Sequence, residues 1–233
     1  MTRDHKSVSL GSGILGLKYL LTRDRVRPGA QVTNMNKLHK VEQLVRELYE
    51  SKDLARDSWA DALYAMHVPI VAEYGKQFAE RFDGNRDRVV AACFLHDIAD
   101  SKVSRGDKRH EEMRAEIARF ILEEAGYSEQ DIQIIIDDAL RFHSCRGEER
   151  PLTLDGKIMA TADAVTHLET DFYLVAENAF REERGDSVFM PWIKEKLDRD
   201  YYNKIFFDEV RAEVKERYEF LKHHFAVDYF AVD

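Results

Sequence analysis

From Met35 onward, apolar residues recur along the chain at helical spacing. Leu38, Val41, Leu44, Val45 and Leu48 form the first stripe. A second helix is predicted over residues 58–82, with Leu63, His67, Ile70, Tyr74 and Phe78 on one face. The cluster Asp83-Gly84-Asn85 ends it. Residues 86–98 predict a third helix, whose run Val89-Val90-Ala91-Ala92-Cys93-Phe94-Leu95 marks a central, buried position. After a polar loop over 100–108, a fourth helix is predicted over 109–124, stopping at Gly126. Ser128-Glu129-Gln130-Asp131 has the pattern of a capping box for a fifth, with Ile132, Ile136, Ala139, Leu140 and His143 on its face. A charged loop over 144–151 leads to a sixth helix over 154–176. Pro191 suits the first turn of another helix, and residues 202–225 predict a long amphipathic one.

Residues 1–34 contain glycine and lack helical periodicity, so they are expected to form a poorly structured extension without a functional role. No repeat, low-complexity tract or linker divides the remainder. The expected architecture is therefore all-α: a single-domain helical bundle over residues 35–233, ending in a C-terminal helical extension.

Composition agrees with this reading. Only four prolines and eleven glycines occur in 233 residues, too few for a β protein rich in tight turns. The formal net charge is −9, so the chain lacks the basic footprint that releases counterions from nucleic-acid phosphates. Non-specific nucleic-acid binding is not expected. A small phosphorylated partner stays compatible, because a divalent metal supplies positive charge locally. Cys93 and Cys145 make neither a disulfide framework nor a thiolate metal site, and a reducing, cytoplasmic location is expected. The apolar run at residues 14–21 is too short to span a bilayer and contains Lys18, so no membrane association is expected. A homodimer is a candidate assembly for an acidic helical chain, although no stretch identifies an interface.

The chemistry sits in the histidines. His67, His96, His110 and His143 all fall on or beside apolar helix faces, on four different predicted helices. A lone inward histidine is commonly a satisfied core residue. Four of them call for a shared partner, since burying imidazole without one costs free energy, and a metal ion is the economical choice. Asp97 follows His96 at the end of the buried third helix. Neighbouring helical residues point about 100° apart, so both reach one ion only near the helix end. Asp163 lies among small and apolar residues in Met159-Ala160-Thr161-Ala162-Asp163-Ala164-Val165. It needs a counter-charge there, either a metal or a neighbouring Arg or Lys.

In order, His67, His96-Asp97, His110, His143 and Asp163 resemble the HD-domain metal-dependent phosphohydrolases, over roughly residues 60–180. The segments Leu95-His96-Asp97-Ile98, Ala139-Leu140-Arg141-Phe142-His143-Ser144 and Pro151-Leu152-Thr153-Leu154-Asp155-Gly156-Lys157-Ile158 are similar to its small single-domain branch. The resemblance implies that His67, His96, Asp97 and Asp163 are metal ligands. It implies that His110 and His143 are ligands to a second ion, with Asp97 bridging the two. Two positions that are commonly acidic in the branch are Thr161 and Thr166 here, and the glycine that follows His-Asp-Ile is Ala99.

One or two divalent ions are thus expected, with Mn, Fe, Zn or Co suiting mixed imidazole and carboxylate donors. The implied activity is hydrolysis of a small phosphorylated metabolite or nucleotide by hydroxide generated at the metal. Asp97 and Asp100 are catalytic candidates, the latter to position water or accept a proton. Lys102 is the leading candidate to hold a phosphate oxygen, ahead of Arg146 and Lys157. The aromatic tail (Trp192, Tyr201, Tyr202, Phe206, Phe207, Tyr218 and Phe220) reads as packing or as a wall for a base or sugar. Two alternatives accompany this reading: a di-iron oxygenase of the same fold, and a non-catalytic nucleotide sensor.

Overall fold

Helix α1 (Lys37–Glu50) buries the first apolar stripe, Val41, Leu44, Val45 and Leu48, as its periodicity requires. It belongs to a computed structural model that describes residues 36–226, and no strand occurs among the described residues. The extension expected over residues 1–34 lies outside them.

The helix expected over 58–82 is two helices, α2 (Ala60–Met66) and α3 (Val68–Arg81). Pro69 has no N–H with which to continue the hydrogen-bond ladder. The chain therefore breaks at His67, whose φ of −129° and ψ of −62° leave the helical region. A glycine at 75 lets α3 approach its neighbour, because a Cβ there would stand 2.5 Å from Cys93 Sγ. That neighbour is α4 (Arg86–Leu95), capped by Asn85, whose side chain accepts the Arg88 N–H. Helix α4 stops at Leu95, short of the expected residue 98, and Ile98–Ser101 forms a turn of 3-10 helix. His96 and Asp97 thus occupy the corner between two helical segments.

Helix α5 (His110–Ala125) ends where expected, at Gly126 with φ of +79°, a conformation that favours glycine. Ser128 caps α6 (Glu129–Gln133) by accepting the Asp131 N–H, and its hydroxyl donates to the Asp131 carboxylate. The next seven residues, Ile134–Leu140, are wound as π-helix, which leads into His143. The buried Asp138 carboxylate then accepts the N–H groups of Leu152 and Thr153, which fixes the start of α7 (Leu154–Glu169).

Helix α7 is the centre of the molecule, with 13 of its 16 residues buried. It packs against both α3 and α4, so the three together hold the core. Full burial of a Leu or Ile side chain here, such as Leu95, Ile98 or Ile158, is worth roughly 1.5–3 kcal/mol. Helix α7 ends at Glu169, not at the expected 176, and α8 (Phe172–Arg184) follows after a two-residue break. Pro191 lies inside α9 (Asp186–Arg199), beyond the expected first turn. There its ring removes one donor from the ladder.

The tail expected as one helix over 202–225 is interrupted twice. A π-helical turn, Asp200–Lys204, is followed by extended chain at Ile205 and Phe207. Helices α10 (Asp208–Glu213) and α11 (Lys215–His224) then meet at Val214. Thr161 holds the extended piece to α7: its hydroxyl donates to the Lys204 carbonyl at 3.2 Å and accepts the Phe206 N–H at 3.1 Å. No helix among the described residues is long and apolar enough to cross a membrane.

Candidate metal centre

Three predicted ligands meet in the core. His67 Nε2 is 3.1 Å from His96 Nε2 and 3.0 Å from Asp163 Oδ1, and His96 Nε2 is 3.6 Å from the same oxygen. Each residue comes from a different element: the break before α3, the end of α4 and the middle of α7. His96 is oriented by its other nitrogen, since Nδ1–H donates to the Cys93 carbonyl at 2.7 Å. Its Nε2 lone pair therefore faces the cluster. The His67 ring is stacked on His167, with centroids 4.6 Å apart and planes 4° apart.

This donor set fits a divalent ion. Two imidazole nitrogens and a carboxylate oxygen within 4.8 Å of one another form a ligand-type group. Asp163 Oδ1 is buried and has no hydrogen-bond partner among the described residues. Its nearest polar neighbours are ring nitrogens alone, of His67 at 3.0 Å, His167 at 3.4 Å and His96 at 3.6 Å, so a carboxylate oxygen and imidazole nitrogens converge where a cation would be held. The His67 and Asp163 shifts point the same way. Burial lowers the His67 pKa, favouring the neutral ligand form. Burial alone would raise that of Asp163, but His167 and Lys204 hold it well below the usual carboxylate range. Burial would lower that of His96, and Asp97 and Asp163 outweigh it, raising the pKa.

Asp163 is also paired with a lysine, so both expected counter-charges have a place. Lys204 donates to Asp163 Oδ2 and lies 3.6 Å from Asp200 Oδ1. Asp200 in turn accepts from Tyr173 OH at 2.6 Å and from Lys196 at 2.9 Å, and lies 2.9 Å from His167 Nδ1. The ion-pair partner takes one oxygen of Asp163 and leaves the other to the imidazoles.

Asp97 stands at the edge of this group. Its Oδ2 lies 3.3 Å from His96 Nε2 and accepts from the Arg105 guanidinium at 2.5 Å. Its backbone carbonyl accepts Tyr49 OH at 2.8 Å, which ties the corner to α1. Burial would raise its pKa, yet Arg105 and His96 keep it well below the ordinary value.

The other predicted residues divide. Asp100 is buried and bound by Arg105 at 2.7 Å and by His110 Nε2 at 2.8 Å. His110 therefore sits on Asp100, outside the His67, His96 and Asp163 group. His143 donates Nδ1–H to the Leu140 carbonyl at 2.6 Å, and its ring centroid is 5.7 Å from that of His96. Burial, together with the nearby Arg114 and Lys204, lowers its pKa well below the ordinary value. Lys102 donates to Ser51 Oγ at 3.0 Å and does not line the cavity beside the cluster. Lys157 likewise does not line it, whereas Arg146 does.

The cluster opens into a cavity of about 280 Å3. Asp97, Asp163, His67, His143 and His167 belong to its wall. Cationic side chains line it too: Arg105, Arg146, Lys196, Arg199 and Lys204. The apolar part of the wall includes Trp59, Phe172, Phe180 and Trp192. Of the aromatic residues in the tail, Trp192 thus faces the cavity, while Tyr201 and Tyr218 stack on each other at 4.0 Å. Sequence reading passed over Arg105, His167, Lys196, Arg199, Asp200 and Lys204. Only His167 carried a signal, since it follows Asp163 by four residues and so shares its helix face.

Comparison with known proteins adds one finding: residues 64–168 match the family model described as HD domain. That span begins just before His67 and ends just after His167. No curated protein and no solved structure matches the chain.

Proposed function

Because residues 64–168 match the HD-domain family, we propose that the chain is a metal-dependent phosphohydrolase acting on a small phosphorylated metabolite or nucleotide. The carrying observation is the coincidence of two features in one cavity. His67 and Asp163 of the ligand-type group line it, with His96 directly behind them, and five cationic side chains belong to the same wall. Cations at the wall favour an anionic substrate, and the cavity's size suits a small molecule better than a polymer.

His67, His96, Asp97 and Asp163 would hold the metal, a set compatible with Mn, Fe, Zn or Co. A divalent ion supplies an acidified water and withdraws charge from a phosphoryl oxygen. The remaining work falls to the protein's own groups. Arg105 and Arg146, which both line the cavity, would meet phosphate oxygens there. Asp100, gripped by Arg105, keeps that guanidinium aimed. Phe172, Phe180 and Trp192 exclude water and offer a flat face to an organic moiety.

The test is phosphate release from a panel of nucleotides and sugar phosphates by metal-loaded protein. Release that needs added divalent metal and stops on chelation supports the reading. A protein that binds metal stoichiometrically and yet releases phosphate from none of the panel contradicts it. The oxygenase alternative requires two iron ions, and the groups nearest a second position are engaged by Arg105 and Asp100.

A further inference from the structure

We propose that Arg105 takes the place of a second metal ion, so that the centre binds one divalent cation per chain and keeps a fixed guanidinium beside it. This rests on the reading of His67, His96, Asp97 and Asp163 as a metal centre.

Beside the His67, His96 and Asp163 group lies a second set of ligand-type side chains: Asp97, Asp100 and His110. Two carboxylates and an imidazole are donor types that divalent ions take, yet among the described residues only His67, His96 and Asp163 gather their donor atoms closely enough to hold one. The group that links the carboxylates is instead Arg105. Its terminal nitrogen is 2.5 Å from Asp97 Oδ2 and 2.7 Å from Asp100 Oδ2, and its Nε is 3.0 Å from Asp100 Oδ2 and 3.2 Å from Asp100 Oδ1. His110 Nε2 is already bonded to Asp100 Oδ1 at 2.8 Å. The face of Trp59 backs the guanidinium at 4.7 Å, which fixes its plane. Asp97 Oδ2, both oxygens of Asp100 and His110 Nε2 are thus engaged, and a permanently charged group stands between the two carboxylates.

Charge balance leads to the same conclusion. Four buried carboxylates, Asp97, Asp100, Asp163 and Asp200, face three fixed cations, Arg105, Lys196 and Lys204, which leaves one negative charge over. One divalent ion already tips the balance positive. A second would find no excess negative charge to meet and would lie against a guanidinium. His143, like His96, donates Nδ1–H to a backbone carbonyl and keeps Nε2 as its donor atom, but that nitrogen lies 3.3 Å from Ser144 Oγ and one imidazole does not replace the carboxylates that Arg105 engages. Asp97 keeps the shape of a bridging ligand, with His96 on one side and Arg105 on the other. The bridge joins a metal position to an arginine.

The experiment counts ions. Metal-free protein is titrated with Mn2+ by calorimetry, and the loaded protein is analysed for metal by mass spectrometry after desalting. Wild type is expected to hold one ion per chain, Arg105→Ala two, and Arg105→Ala/His110→Ala one again. Arg105→Gln, which keeps polar contacts but drops the charge, serves if the alanine variant does not fold, with the same expectation of a second ion. Two ions in wild type overturn the inference while leaving the hydrolase reading intact. A folded Arg105 variant that still binds one ion also overturns it. Wild type that binds none overturns the metal centre itself, and with it both readings.

Discussion

Lys204 donates to one oxygen of Asp163, and the other oxygen is left facing His67 at 3.0 Å. The lysine comes from a π-helical turn far along the chain, and it decides how the carboxylate is presented. With Oδ2 taken, Asp163 can offer a cation only Oδ1, and the nearby ammonium keeps the group ionised. Partners that orient a ligand in this way commonly govern affinity as strongly as the ligand's own identity.

Replacing this lysine should therefore weaken metal binding without touching a ligand. Lys204→Met is expected to lower affinity about 10- to 100-fold. It should also destabilise the fold by about 3–5 kcal/mol, since Asp163 and Asp200 lose a buried counter-charge. Calorimetric titration beside urea unfolding measures both. Unchanged metal affinity in a folded variant would mean that Lys204 is a structural pair and nothing more.

Metal should stabilise the folded chain. At a free concentration a hundredfold above the dissociation constant, linkage gives about 2.7 kcal/mol. For a chain of this size that corresponds to a rise of roughly 5–10 °C in melting temperature. Thermal unfolding with and without Mn2+ or Zn2+ checks it. The shift should vanish in His67→Ala, and a shift of equal size in that variant would place the binding elsewhere.

The close approach of α3 and α4 should be visible in a double-mutant cycle. In Gly75→Ala the new methyl would stand 2.5 Å from Cys93 Sγ, with Val89 Cγ1 at 3.3 Å. Overpacking of this kind costs about 1–3 kcal/mol. Cys93→Ala removes the sulfur, so the double variant should lose less than the sum of the two single ones. Simple additivity would show that the helices adjust without strain.

His110 offers a pH test. Burial alone would lower its pKa, but its bonds to Asp100 and Glu111 outweigh that and raise it to about 9. Because folding raises the value, the stabilisation from this pair is fully present below the unfolded pKa of about 6.5. It is lost as pH rises through about 9. A ring titration by NMR on metal-free protein should give a midpoint near 9, falling toward the ordinary value in Asp100→Asn. A wild-type midpoint that is already ordinary would contradict the bond drawn between His110 and Asp100.

The sequence carried the helical class and the heart of the site for a physical reason. His67, His96 and Asp163 are polar groups set into apolar stripes, and that local conflict shows without coordinates. The helix ends at Gly126 and Ser128 were legible from cap chemistry. The break at His67 was written in Pro69 but was outvoted by an apolar periodicity that runs straight across it. Lys204 could not be found this way. It sits in an aromatic segment whose course depends on the π-helical turn and on the Thr161 bridge, and it reaches Asp163 across 41 residues. Arg105 lies in a polar loop where no periodicity constrains side-chain direction. Lys102, the basic residue nearest in sequence to the His-Asp pair, points instead to Ser51 and Asp53.

The central claim is that His67, His96, Asp97 and Asp163 hold a divalent ion at the wall of the cavity. Metal analysis of wild type against His96→Ala and Asp163→Asn, with helicity followed by circular dichroism, tests it most directly. Bound metal in wild type and its loss in both variants, with helicity retained, is the expected result. Equal metal content in wild type and in the folded variants would contradict the claim.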